Sequence, residues 1–258
     1  MHIAANLAFF FRDRPILERF QMARDAGFTG VELWSCETAT PDQVAAAANA
    51  AGTAIVCCNA SSGDLQSGGI GLSGTPGRER EFEEAIRGVT TTARAIGCRQ
   101  VNVGPCRLAN EGERASAMAT LTRNLAFAGD ELGRWGIRAL VEPLNPIDVP
   151  HVLLAKVADA VDVIARAANP NVYLLFDIYH VTQIEQNPLQ RLEEHFGKIG
   201  HIQFADVPGR GAPGTGAIRF HDFFHALKRL NYSGWVSAEY RPTAPLHSSH
   251  AWLQSLID

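Results

Sequence analysis

The 258-residue sequence has no run approaching eighteen apolar residues, so no membrane-spanning helix is expected. Its first residues, Met1-His2-Ile3-Ala4-Ala5-Asn6, lack the basic segment, apolar stretch and small-residue cleavage site of a secretory leader. A soluble, cytoplasmic protein with no membrane partner is expected. A positive excess is missing too: 23 Lys plus Arg stand against 27 Asp plus Glu, a formal net charge of −4, which argues against nucleic acid as a partner. The five cysteines, Cys36, Cys57, Cys58, Cys98 and Cys106, form no CxxC pair or other metal-like spacing. Their odd number suits a reducing compartment, where they read as small buried hydrophobes. Adjacent Cys57 and Cys58 would face opposite sides of a strand, which argues against a redox pair.

Long linkers, low-complexity tracts and shifts of composition are also absent, and 46% hydrophobic against 19% charged residues leaves ample material for one large core. What is present is alternation. Short β-rich runs at 3–7, 30–33, 54–59, 100–103, 138–142, 172–177, 201–204 and 235–239 are separated by Ala-, Arg- and Glu-rich stretches with helical spacing. The helices are expected at 15–26, 41–51, 77–96, 113–135, 157–168, 189–196, 220–230 and 248–256. Gly27, Gly52, Gly97 and Gly136 each fall just past a helical run, where a left-handed backbone is easiest for glycine. No early GxGxxG turn supports an open nucleotide-binding sheet, so the α/β pattern favours a closed (β/α)8 TIM barrel, one domain over 1–258. The Gly- and Ser-rich stretch 60–77 is then a long βα loop placed to cover a substrate.

In such a barrel the chemistry gathers at the C-terminal ends of the strands, where four consecutive strands carry an acid or an amide. The fifth runs through Leu140-Val141 into Glu142, and the sixth through Leu175-Phe176 into Asp177. The seventh carries Gln203, and the eighth ends in Glu239. Three carboxylates brought together from adjacent strands repel, so they either raise one another's pKa or require a cation. An all-oxygen set of Glu142, Asp177, Gln203 and Glu239 favours a hard divalent metal, Mg2+ or Mn2+, over zinc.

Beyond these positions, several runs resemble the hydroxypyruvate isomerase family, within the xylose-isomerase-like TIM barrel superfamily. They are Glu142-Pro143-Leu144-Asn145, Phe176-Asp177-Ile178-Tyr179-His180, Gly200-His201-Ile202-Gln203-Phe204-Ala205-Asp206, Pro213-Gly214-Thr215-Gly216 and Gly234-Trp235-Val236-Ser237-Ala238-Glu239-Tyr240. Ala5-Asn6-Leu7, the run 26–32 and Pro76-Gly77-Arg78-Glu79 are similar as well, so the resemblance covers nearly the whole chain. It implies a divalent metal and the interconversion of hydroxypyruvate with 2-hydroxy-3-oxopropanoate, with Glu142 and Glu239 as the paired proton donor/acceptors. It also implies Glu142, Asp177, Gln203 and Glu239 as the metal set. The sequence departs from the family after the second strand, where Glu32-Leu33-Trp34-Ser35-Cys36-Glu37 replaces a longer aromatic, Pro-containing loop that would help set substrate size.

Moving a carbonyl by one carbon through an enediol takes a proton from one carbon and returns one to its neighbour, while negative charge develops on oxygen. Two carboxylates can share the proton work, and Glu142 and Glu239 take those roles, with their order left open. The small hydroxy-oxo acid substrate carries a carboxylate of its own, for which Arg210, just past the seventh strand, is the first choice of clamp. His180 at the mouth is placed to polarise the substrate carbonyl or to hydrogen-bond a ligand. His201, on the same strand face as Gln203, and Asn59, ending the third strand, complete the substrate-binding candidates, with Arg78 a further residue.

Other chemistries on this barrel remain open at this point. A related branch isomerises 2-oxotetronates, and ketose 3-epimerases or metal-dependent dehydratases would use similar paired acids on sugars. Zinc-cluster endonucleases need more His ligands than His151, His180 and His201 supply, and a basic face. A barrel that only binds a ligand would have lost part of the acid set, which is complete here. Homo-oligomerisation is left open, since helices around a barrel bury their inner stripe with or without a second copy outside.

Overall fold

The structure is a computed structural model that describes residues 1–242 and residue 252. Eight parallel strands close into a barrel in sequence order, each hydrogen-bonded to its neighbours and β8 to β1. They are β1 (His2–Asn6), β2 (Gly30–Leu33), β3 (Ala54–Asn59), β4 (Gln100–Asn102), β5 (Arg138–Val141), β6 (Val172–Asp177), β7 (Ile199–Phe204) and β8 (Trp235–Ala238). Around them run α1 (Ile16–Asp25), α2 (Pro41–Ala51), α3 (Glu79–Ala95), α4 (Arg114–Gly133), α5 (Val157–Ala167), α6 (Ile178–Ile184), α7 (Pro188–Glu194) and α8 (Phe220–Arg229). The eight strands fall where they are expected within a residue or two. The helix expected at 248–256 lies outside the described residues apart from Trp252.

Alternation along the strands decides which side chains meet. Along β6, Val172, Leu174 and Phe176 point outward into the layer between strands and helices, leaving Leu175 and Asp177 inward. Likewise Ala139 and Val141 of β5, Ile202 and Phe204 of β7, and Val236 and Ala238 of β8 pack outward, which turns Glu142, Gln203 and Glu239 toward the axis. The outer layer is large and largely fully buried, each buried Leu or Phe contributing about 1.5–3 kcal/mol.

The barrel interior is packed by a smaller apolar set, Ala4, Val56, Cys57, Leu140 and Leu175, with Tyr173 and Trp235 against it. Gly30 makes room there, because a Cβ on it would lie 2.5 Å from the Trp235 ring. Cys57 belongs to this inner set and Cys58 to the outer layer, so the vicinal pair does face opposite sides, and all five cysteines are free. Gly27, Gly52, Gly97 and Gly136 take φ of +94°, +64°, +71° and +64°, the left-handed turns expected where helices give way to strands.

One helix was not expected. The run Ile178-Tyr179-His180-Val181 is aromatic and β-branched, and by propensity it reads as a continuation of β6. It forms α6 because the Asp177 side chain accepts a hydrogen bond from the Tyr179 N–H at 2.9 Å, capping the helix at the strand's end. Such a cap contributes about 1 kcal/mol. No described helix is long and apolar enough to cross a membrane.

Candidate functional site

A cavity of about 1340 Å³ opens at the C-terminal ends of the strands. Glu142, His180, Gln203, Arg210 and Glu239 line it, as does Asn59 at the end of β3. The loop 60–77 covers part of it through Ser61, Gly63 and Leu65, as expected of a substrate-covering loop. Trp34, half-exposed and edge-on to Phe9 with ring centroids 5.5 Å apart, forms part of the wall.

The four strand-end residues converge. Asp177 is fully buried, and its Oδ2 lies 3.6 Å from His180 Nε2, while Glu142 Oε1 lies 3.9 Å from the same nitrogen. Glu142, Asp177 and His180 bring ligand atoms within 4.8 Å of one another, a grouping able to hold a metal ion. The Arg210 guanidinium sits among the acids, with Nη2 at 3.0 Å from Glu239 Oε1 and 3.4 Å from Asp177 Oδ2. Its Nε donates to the Glu239 carbonyl at 3.0 Å, and the group stacks between the Phe9 and Tyr179 rings at 4.8 and 4.9 Å.

The electrostatics follow from burying several acids against one arginine. Burial and then the Asp177 carboxylate push Glu142 up to about 8, against the pull of Arg210 and the Asn102 amide. Burial carries Asp177 up to about 6 despite Arg210 and the Tyr179 N–H. Glu239 is pushed well above its ordinary value by burial, with Arg210 opposing. Burial and Arg210 hold His180 well below the usual imidazole range, so the ring is neutral. Its Nδ1 accepts the Asn145 backbone N–H at 3.2 Å, which leaves the proton on Nε2, pointing at the acids. In that tautomer His180 presents a hydrogen-bond donor toward Glu142 and Asp177.

Two buried oxygens in this cluster, Gln203 Oε1 and Glu239 Oε2, have no hydrogen-bond partner. Orphaned acceptors beside two carboxyls of raised pKa form an electron-rich set, the arrangement a divalent cation satisfies. The expected oxygen donors therefore fit such an ion.

A model described as the xylose isomerase-like TIM barrel matches residues 20–256 of the sequence. The chain belongs to this family.

Several known proteins resemble the chain over nearly its whole length. A 2-oxo-tetronate isomerase of Cupriavidus necator is 32% identical over 254 residues, covering 98% of each chain. A hydroxypyruvate isomerase of Escherichia coli is 31% identical over 255 residues, again covering 98% of each. A solved structure described as an AP endonuclease, family 2, from Brucella melitensis superposes with a TM-score of 0.94 at 31% identity, covering 98% of each chain.

The remaining expected residues of this xylose isomerase-like barrel fall in different places. Arg78 is held by Glu81, Asp64 and the Gly71 carbonyl, and does not line the cavity. His201 does point into the barrel, but it is fully buried below the cavity wall and pairs through Nε2 with Glu32. Glu32 and Asn102 were not singled out from sequence. Glu32 accepts from Asn6 Nδ2 and Gln203 Nε2, each at 2.8 Å, and Asn102 Nδ2 donates to Glu142 Oε2 at 2.8 Å. The available signal was an acid interrupting the apolar β2 run Val31-Glu32-Leu33, and an Asn ending β4.

The loop after β7 places Arg210. Fully buried Asp206 accepts four backbone N–H groups, from Val207 and Ile218 on Oδ1 and from Gly214 and Gly216 on Oδ2, at 2.8–3.0 Å. A Cβ on Gly216 would lie 2.1 Å from the Val207 carbonyl oxygen, which accounts for glycine in the Pro213-Gly214-Thr215-Gly216 run.

Proposed function

We propose that the chain is a divalent-metal-dependent isomerase of a short hydroxy-oxo acid, interconverting hydroxypyruvate and 2-hydroxy-3-oxopropanoate. The four-carbon acid 2-oxotetronate is an equally supported substrate, since relatives of similar identity carry either name. The observation that carries the reading is the buried acid cluster with its orphaned Gln203 and Glu239 oxygens, facing a cavity large enough for either acid.

Glu142, Asp177, Gln203 and Glu239 would hold the ion, Mg2+ or Mn2+. When bound, it supplies Lewis-acid stabilisation of the negative charge that develops on the substrate's oxygens. Glu142 and Glu239 exchange protons with the two neighbouring carbons: one carboxylate removes the proton beside the carbonyl, and the other delivers one to the former carbonyl carbon. The hydroxyl proton passes to the adjacent oxygen, so atoms balance and no redox partner is needed. Burial pushes both acids upward, Glu142 to about 8 and Glu239 well above its ordinary value. His180 Nε2–H donates toward substrate oxygen, and Asn59, which also lines the cavity, contributes its amide.

Arg210 is the proposed partner of the substrate carboxylate. It is engaged with Glu239 and Asp177 and lines the cavity, where its guanidinium would meet a bound carboxylate. The oxygen-rich donor set, with Gln203 where a stronger ligand would sit, and the net charge of −4 favour this reading over phosphodiester hydrolysis.

The test is a coupled assay of EDTA-treated protein given back Mg2+ or Mn2+, with hydroxypyruvate, 2-oxotetronate and abasic-site DNA compared side by side. Metal-restored turnover of a hydroxy-oxo acid is expected. Turnover of neither acid, or cleavage of the DNA, would remove the isomerase reading.

A further inference from the structure

Gln203 differs from the other oxygen donors of the cluster in having two unlike ends. A carboxylate presents oxygen whichever way it turns, but a 180° turn of an amide replaces its oxygen by an NH2 group that would repel a cation. Something must hold the oxygen in place. Oε1 is buried without a partner in a residue that lines the cavity, while Nε2 donates at 2.8 Å to Glu32 Oε2.

Glu32 is itself fixed. It is 2% exposed, accepts from Asn6 Nδ2 at 2.8 Å on the same oxygen, and pairs through Oε1 with His201 Nε2. His201 is in turn held by Ser237 Oγ at 3.2 Å and by Gln100 Nε2 at 3.3 Å from its Nδ1. An ionised carboxylate only accepts, so it tolerates the NH2 end of Gln203 and rejects the oxygen end. Turning the amide would break a charge-assisted hydrogen bond and set two oxygens against each other among buried side chains.

We propose that Glu32 is a positioning residue that locks the Gln203 amide with its carbonyl oxygen facing the acid cluster, and thereby sets the affinity of the site for a divalent cation. Asn6 and His201 act behind it, holding the carboxylate in register. The proposal rests on the metal reading above, and the two fail separately: absence of Mn2+ binding by the unsubstituted protein defeats that reading, whereas the comparison among variants tests Glu32.

The measurement is the Mn2+ dissociation constant of EDTA-stripped full-length protein, followed by the electron paramagnetic resonance signal of free Mn2+. Four variants are compared: Glu32→Gln, Glu32→Asp, Gln203→Ala and Glu32→Gln/Gln203→Ala. Thermal melting of each apoprotein confirms that it is folded. Glu32→Gln is expected to weaken binding about 10- to 100-fold, the range for partners that orient metal ligands. Glu32→Asp keeps the charge but withdraws it by one methylene, and is expected to weaken binding as well. In the Gln203→Ala background Glu32→Gln is expected to cost no more than about threefold, because the group it orients is gone.

Unchanged affinity in Glu32→Asp, or the same loss from Glu32→Gln in both backgrounds, would show that Glu32 acts only through its charge and overturn the proposal. Should Glu32→Gln not fold, Glu32→Asp alone decides between the two outcomes.

Discussion

The two halves of the barrel mouth are built differently. At or within one residue of their C-terminal ends, β1 to β4 carry Asn6, Glu32, Asn59 and Asn102, while β5 to β8 carry Glu142, Asp177, Gln203 and Glu239. One half is an amide half with a single acid, the other an acid half with a single amide. The two exceptions are bonded to each other, Gln203 Nε2 to Glu32 Oε2. The amide half supports the acids, as Asn102 does for Glu142 on the adjacent strand, and in the acid half Arg210 is the only cation among the described residues that pairs directly with Glu239 and Asp177. The proposed support and the proposed chemistry thus fall on different halves of one closed sheet.

The largest effect is expected from the acid half. Glu142→Gln and Glu239→Gln remove the proposed proton carriers, and each is expected to lower kcat by about 10²–10⁴-fold, measured with hydroxypyruvate at saturating Mg2+. A variant within tenfold of the unsubstituted enzyme would take that residue out of the proton transfer.

Arg210→Met probes how that half is neutralised. Removing the only cation that pairs directly with Glu239 and Asp177 among the described residues is expected to destabilise the EDTA-treated protein by about 3–5 kcal/mol, the cost of breaking a buried ion pair. Added Mg2+ should restore much of the lost melting temperature, because a divalent ion takes over the same charge. An equal loss with and without Mg2+ would separate the arginine from the cation site.

The raised acids fix a pH dependence. Glu142 near 8 and Asp177 near 6 bind protons more tightly when folded than unfolded, so in the apoprotein their contribution to stability falls as pH rises from about 5 to 8. A cation competes with those same protons. Mn2+ affinity is therefore expected to rise over this interval, with release of at least about one proton per site at pH 7, measured by calorimetry in buffers of different ionisation enthalpy. No proton release would contradict the protonated state of Glu142.

The smallest effect belongs to the amide half. Asn102→Ala takes away a hydrogen bond that favours the ionised form of Glu142 and should move the acidic limb of the pH–rate profile upward by up to about one unit. An unmoved limb would reduce Asn102 to packing.

How much of this could be read from sequence follows from the same division. Glu142, Asp177 and Glu239 stand out because each follows a run of apolar residues at a strand end, where burial of an acid demands explanation. The amide half gives no such contrast, since an Asn ending a strand is common in turns, and Glu32 sits inside a four-residue strand. The partnership of Glu32 with His201 joins positions 169 residues apart and depends on barrel closure, which no local pattern encodes. The same holds for α6, where a tertiary cap by Asp177 outweighs a β-prone composition. Arg210 could be placed near the site from its position after β7, but not between the Phe9 and Tyr179 rings, because its loop is shaped from inside by the buried Asp206 carboxylate.

The Trp235 ring seated over Gly30, with the apolar set of Ala4, Val56, Leu140 and Leu175, fills the barrel axis beneath the acids. The cavity is consequently a cul-de-sac. Both isomers must come and go through one doorway, so each blocks the other's entry, and product inhibition is expected to be purely competitive in either direction.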